Sequence, residues 1–248
     1  MTMVLLTALG VGGATMIGAL IGFIFKKVSH KFNDIVLSFA AGIMLAAAML
    51  GLILPSIEYG SIWISVFGIF CGAFCLSLID KFTPHMHKLV GSEIEAHPDS
   101  ANLSKVLLFV AAIAIHNFPE GIAAGVGFGS DNPHDALLIA GGIALQNLPE
   151  GMVIIAPMLA AGVSPKRTFI CALATGLVEV AGTLLGYWAV SIATVILPFA
   201  LAFAGGTMLY VISDEMIPET HAHGFSRGAT YALLFGFCLM MIFDILLG

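Results

Sequence analysis

Eight runs of apolar residues divide the chain, near 3–25, 35–57, 61–81, 105–126, 136–160, 167–189, 194–216 and 226–247. Each is about 20 residues or slightly more, the length at which an α-helix rising 1.5 Å per residue crosses about 30 Å of hydrocarbon. The pattern predicts an all-α membrane protein of eight transmembrane helices. Most breaks between runs are short, which favours antiparallel neighbours. The exception is the polar stretch 82–104, with His85, His87, Glu93, Glu95, His97 and Asp99. It reads as a histidine-bearing loop inside a single polytopic domain covering 1–248, with no room for a separate soluble domain. The first run lacks the charged start of a cleavable signal and reads as a retained helix.

Charge placement turns this list of spans into a topology. Lys26, Lys27 and Lys31 follow the first run, and Lys81, Lys88 and Lys105 bracket the loop after the third. Lys166 and Arg167 separate the fifth from the sixth, and Arg227 separates the seventh from the eighth. With eight crossings every lysine and arginine falls on one side, which the positive-inside rule makes cytoplasmic. Both termini are then extracytoplasmic, and the loop 82–104 is cytoplasmic.

Composition agrees and excludes other classes. The chain is 59% hydrophobic and 10% charged, against about 25% charged in an ordinary soluble domain. Its solvent is the lipid bilayer, and nucleic acid is not a partner. Cys71, Cys75, Cys171 and Cys238 all fall within expected spans, without the spacing of a disulfide framework or a zinc finger.

Within this apolar background one phrase occurs twice. Ile113-Ala114-Ile115-His116-Asn117-Phe118-Pro119-Glu120-Gly121 lies in the fourth run, and Ile143-Ala144-Leu145-Gln146-Asn147-Leu148-Pro149-Glu150-Gly151 in the fifth. An ionisable group at membrane depth is disfavoured by about 2.5–3.5 kcal/mol on insertion scales, so it marks a functional site. His116 and Glu120 are four apart and Asn117 and Glu120 three apart, so each pair shares a helix face. The same holds for Gln146 and Asn147 with Glu150. Glu179, at similar depth in the sixth run, is a third carboxylate without a basic neighbour in its helix. Pro119 and Pro149 lack an N–H, so the carbonyls of Ile115 and Leu145 lose their usual donor. Two carboxylates with imidazole and amide donors, and no lysine or arginine beside them, suit a borderline divalent cation such as Zn²⁺, Fe²⁺, Mn²⁺ or Co²⁺ better than Cu⁺.

A second echo sets the symmetry. Phe39-Ala40-Ala41-Gly42-Ile43-Met44-Leu45 in the second run resembles Phe203-Ala204-Gly205-Gly206-Thr207-Met208-Leu209 in the seventh. In the inferred topology both echoing pairs run in opposite senses, the mark of inverted repeats with a substrate site near the midplane. At the end of the seventh run, Asp214, Glu215, Glu219, His221 and His223 read as a solvated helix end or as an exit staging area, with Asp80 on the same side. Glu58 lies at the opposite end of the second run.

These motifs resemble the ZIP (Zrt/Irt-like) metal transporter family, and His116-Asn117-Phe118-Pro119-Glu120-Gly121 looks like its helix 4 signature. The glutamine at position 146 is similar to the GufA-type branch. The resemblance covers essentially the whole chain. It implies helices arranged 3+2+3 with inverted symmetry around a binuclear metal centre. His116, Glu120, Gln146 and Glu150 would form one metal site. Asn117, Glu120, Asn147, Glu150 and Glu179 would form the other. Many relatives carry histidine in place of Gln146 and some carry aspartate in place of Asn147, which bears on the affinity of the second metal. The expectation is transport of a divalent transition metal toward the cytoplasm, zinc foremost, with iron, manganese, cobalt or cadmium as alternatives. The metal is cargo, no prosthetic group is expected, and a homodimer is left open. The expected location is a bacterial or archaeal cell (inner) membrane. Two other classes compete: a channel-like pore, told apart by non-saturating flux, and an intramembrane metalloenzyme, for which no nucleophile or oxyanion donor stands near the cluster.

Overall fold

The computed structural model describes residues 1–25, 29–82, 114–129, 133–160 and 162–247, and among these the regular structure is entirely helical. We label the helices α1 (Thr2–Ile24), α2 (His30–Tyr59), α3 (Ile62–Phe82), α4 (114–126), α5 (Pro133–Val153, continued by Ile155–Ala160), α6 (Pro165–Ile192), α7 (Leu197–His221) and α8 (Ser226–Leu247). Seven of them are long and apolar enough to cross a membrane, and α4 is the one that falls short over its described residues. The start of the expected fourth span, 105–113, lies outside the described residues, as do Lys26, Lys27 and the loop positions 83–104.

Local chemistry sets the helix ends. The Ser29 hydroxyl accepts the Phe32 N–H and starts α2 at His30, five residues before the apolar run begins. Ser164 does the same for Arg167, with Pro165 as the first helical residue, so α6 begins before 167 and runs on to Ile192. Helix α7 departs most from expectation. It starts at Leu197 and continues five residues beyond 216 to His221.

Two helices widen midway. The turns at Ala47–Ile53 in α2 and at Ile212–Met216 in α7 are π-helical. Each is followed two residues later by a proline, Pro55 and Pro218. A proline lacks the N–H that an α-helical ladder needs, and a wider turn lets the helix continue past it. Such π-turns concentrate at functional sites. Both α4 and α5 stay helical through Pro119 and Pro149.

Burial separates centre from periphery. The most apolar windows of α2, α5 and α7 are 61% buried, and those of α3 and α8 only 22%. On α3 the most exposed large side chains are Trp63, Phe67, Phe70 and Phe74, spaced by three or four and so forming one stripe. In water such a stripe would be an interaction patch, whereas in hydrocarbon it is an ordinary lipid-facing surface.

Glycines reveal which helices are locked together. A methyl on Gly151 would strike the backbone oxygen of Thr15, on Gly18 that of Leu148, on Gly121 that of Glu179, and on Gly125 that of Thr183. These contacts join α1, α4, α5 and α6. Gly42 against Leu233, Gly72 against Phe203, Gly206 against Ile69 and Gly236 against Phe39 join α2 with α8 and α3 with α7 in the same way. Between these two groups the glycine contacts are of another kind. Gly51 meets the Ile139 side chain, and Gly142 meets the side chains of Met240 and Ala47. Backbones touch within the first group and within the α2–α8 and α3–α7 pairs, as in small-residue membrane packing. Gly205 of α7 meets the Ile53 side chain of α2, and side chains likewise lie between the two groups, chiefly where α2 lies against α5.

Candidate metal-transport site

The repeated motifs put their polar side chains on the buried faces of α4 and α5. Asn117 and Glu120 are each 1% exposed, and Gln146, Asn147 and Glu179 are fully buried. His116 is also buried, and Glu150 is half-buried. Gly121 brings α4 onto the backbone of α6 at Glu179 itself, and Gly151 brings α5 onto α1 at Thr15. The small residue after each glutamate is therefore what allows three carboxylates to share one region. Glu120 stands within electrostatic reach of both Glu150 and Glu179, and Glu150 within reach of His116. Across 106–165, which holds both motifs, the sequence carries no lysine or arginine.

The carboxylates are held by neutral donors. Gln146 donates from Nε2 to Glu120 Oε1 at 2.8 Å, linking the two motifs directly. The Thr15 hydroxyl lies 3.0 and 2.9 Å from the two oxygens of Glu179, bridging α1 to α6. Asn147 donates from Nδ2 to the Val11 carbonyl at 3.2 Å. What remains unpartnered is informative: Asn117 Oδ1 and Nδ2, Glu120 Oε2, Gln146 Oε1 and Asn147 Oδ1 are buried without a hydrogen bond. Buried polar atoms are nearly always paired. Four of these five are acceptor oxygens, the atoms through which amides and carboxylates bind a cation.

His116 faces α7 as well as the cluster. Its Nε2 lies 2.8 Å from Glu215 Oε1 on α7, so the imidazole turns across the boundary between the two helix groups. Among the described residues no three His, Cys, Asp or Glu side chains stand together closely enough to hold a metal by themselves. The central cluster draws on amides as well as carboxylates, and a cation there must take Gln146 by Oε1 rather than by the Nε2 now on Glu120. The four cysteines are free thiols and belong to no part of the cluster.

Sequence reasoning left Glu215 at either a solvated helix end or an exit staging area; it is 4% exposed and sits in the π-turn of α7. The cue available was Pro218 three residues on, which parallels Pro55 in the echoing helix. Thr15 and the Val11 carbonyl gave no cue, because a lone threonine in an apolar helix is ordinary and a backbone oxygen is silent. Glu219 is buried near Glu215, and Asp214 is exposed. His221 is held by the Ile217 carbonyl and the Thr230 hydroxyl. The side chain of Asp80 and the loop histidines His85, His87 and His97 lie outside the described residues.

Residues 89–244 match the family model described as ZIP Zinc transporter. The chain is 38% identical to "Zinc transporter GufA" of Myxococcus xanthus over 254 residues, covering 98% of each protein. It is 36% identical to "Zinc transporter ZIPB" of Bordetella bronchiseptica over 95% of this chain and 78% of that one. It is 37% identical to "Zinc transporter ZupT" of Chlorobaculum parvum over 93% and 92%. All three names are those of transporters, not enzymes.

Proposed function

This chain belongs to the ZIP zinc-transporter family, and we propose on that footing that it moves zinc across the bilayer toward the cytoplasm through the cluster on α4, α5 and α6. It is an integral, multi-pass membrane protein, most naturally of a bacterial cell membrane, as its GufA, ZIPB and ZupT relatives are bacterial. The metal side chains are His116, Asn117, Glu120, Gln146, Asn147, Glu150 and Glu179, arranged as two adjacent sites that share Glu120 and Glu150. The observation that carries this is the convergence of Glu120, Glu150 and Glu179 in a buried region whose flanking chain holds no basic residue. Carboxyl groups at that depth without a basic partner are neutralised by protons or by a cation, and the unpartnered amide oxygens beside them favour a cation. Iron, manganese, cobalt and cadmium fit the same donors less specifically.

The eight helices form an inverted 3+2+3 bundle in this reading, with both termini extracytoplasmic. Support comes from the packing itself. Exchanging α1 with α6, α2 with α7, α3 with α8 and α4 with α5 carries the α1–α5 contact onto α6–α4 and the α2–α8 contact onto α7–α3. It also carries one π-turn onto the other. Transport is by alternating access, with the two glycine-locked groups moving as bodies past each other. The side-chain contacts of Gly51 and Gly142 between them, in place of the backbone contacts within the helix pairs, favour this over a rigid pore.

The test is uptake of radioactive zinc into liposomes containing purified protein, with Glu120→Ala and Glu150→Ala alongside. Saturable uptake lost in both variants is the expected result. Uptake that survives both substitutions would move the pathway elsewhere, and flux that stays linear in zinc would replace the transporter by a pore.

A further inference from the structure

Away from the central cluster, a second polar group lies where α2 begins and the chain turns from α7 into α8. Asp34, on the second turn of α2, is only 1% exposed along its side chain, and His223 Nδ1 lies 3.1 Å from its Oδ1. Gly224, at φ +83°, lets the chain reverse just beyond His223. The His30 ring, one helical turn before Asp34, stacks on the His223 ring with centroids 4.7 Å apart and planes 26° apart. His30 itself is exposed.

A carboxylate accepts from Nδ1 of His223, and a neutral imidazole that donates from Nδ1 keeps its Nε2 lone pair for a ligand. This is the arrangement by which a carboxylate orients a metal-binding imidazole and raises its basicity. Two further atoms have no partner: Asp34 Oδ2 and, one turn deeper on α2, Ser38 Oγ are both buried without a hydrogen bond. The basic residue nearest in sequence does not neutralise Asp34, since Lys31 Nζ stands over the Phe225 ring at 6.0 Å. The stacked rings turn faces, not lone pairs, to each other, so the exposed His30 must swing its ring edge toward Nε2 of His223 to share an ion; the buried carboxylate behind His223 favours a cation that prefers nitrogen.

We propose that His30 and His223, with Asp34 behind His223, form a second and weaker site for a divalent first-row transition metal, separate from the central cluster. Two imidazoles leave the remaining coordination positions to water, so the ion is held loosely and exchanges quickly. The positive charges of the chain place this end of α2 on the cytoplasmic side, where an ion leaving the central cluster would next need a ligand.

The experiment titrates zinc into purified full-length protein in detergent, comparing wild type, Glu120→Ala/Glu150→Ala, and that double variant with His30→Ala, His223→Ala or Asp34→Asn added. The histidines of 82–104 are present in every variant, so they cancel from the comparison. The expected result is that the double variant retains one weak zinc. Either histidine substitution should weaken it by at least about tenfold, and Asp34→Asn by about 10–100-fold. Copper(II) added as a spectroscopic probe to the double variant should show coupling to two imidazole nitrogens, reduced when either histidine is removed. No residual zinc, or residual zinc indifferent to His30 and His223, would overturn this site and leave the central reading standing. Full wild-type stoichiometry in the double variant would overturn the central reading instead.

Discussion

His116 and Glu215 are joined at 2.8 Å across the boundary between the two helix groups, one on the signature helix and the other on the π-turn of α7. In the proposed site the imidazole has two claims on it, the carboxylate of α7 and a cation beside Glu120. Glu215→Ala removes one of them and leaves Nε2 in a buried setting. A hydrogen bond to a charged group contributes about 1.5–3 kcal/mol, so the change should alter maximal uptake velocity by about tenfold or more and the zinc KM by much less. Kinetics of zinc uptake in liposomes separate the two. A rise in KM at unchanged maximal velocity would make Glu215 an ordinary ligand rather than a tie between groups.

In the proposed site Gln146 offers only an amide to the metal, and its Nε2 is at present spent on Glu120. Gln146→His supplies an imidazole, the better donor for zinc. Zinc affinity measured by calorimetry should rise by about tenfold, or about 1.4 kcal/mol, while turnover falls because release becomes harder. Affinity that stays constant would place Gln146 outside the metal's reach.

Thr15 is the hydrogen-bond donor that α1 supplies to Glu179. Thr15→Val keeps the shape and removes the hydroxyl, leaving a buried carboxylate short of a donor at a penalty of about 1–3 kcal/mol. The unfolding temperature in detergent should fall by several degrees, about 2–4 °C per kcal/mol for a chain of this size. Thr15→Ser should restore most of it. Equal stability of the valine variant would show that the hydroxyl contributes nothing to holding Glu179.

Gly151→Ala drives a methyl into the Thr15 backbone oxygen, and such overpacking typically costs about 1–3 kcal/mol. The variant should lose monodispersity on size-exclusion chromatography, and its zinc uptake should fall because α5 is pushed away from α1. Gly141, with nothing within 4 Å of its added methyl, is the matched control and should tolerate alanine without change.

Much of this was legible in the chain because lipid leaves few options. Long apolar runs must be helices, and a duplicated phrase carrying Glu120 and Glu150 in such runs has few uses besides a cation. Helix ends were legible only in part. Ser164-Pro165 is a cap and first-turn signal that hydropathy alone passes over, so α6 begins earlier than its apolar run. The path of α7 depends on tertiary structure: past the π-turn it stays helical to His221 and buries Glu215, whereas local polarity at Ser213-Asp214-Glu215 argues for solvent. The His116–Glu215 and Thr15–Glu179 pairs join residues 99 and 164 positions apart. No local pattern encodes distances of that kind.

The division into two groups also has a mechanical side. In chain order the polypeptide passes from one group to the other after α1, after α3 and after α6. The last of these passages is the tightest, since only Ala193 and the single 3₁₀ turn Thr194–Ile196 separate α6 from α7. A 3₁₀ turn rises about 2.0 Å per residue and a fully drawn chain about 3.4 Å. Straightening those three residues therefore releases only about 4 Å of slack before helix must be unwound. In the proposed alternating-access cycle this short tether limits the stroke: the two groups can shift at that corner by less than one strand spacing of about 4.8 Å, and larger travel there has to come from rotation about it.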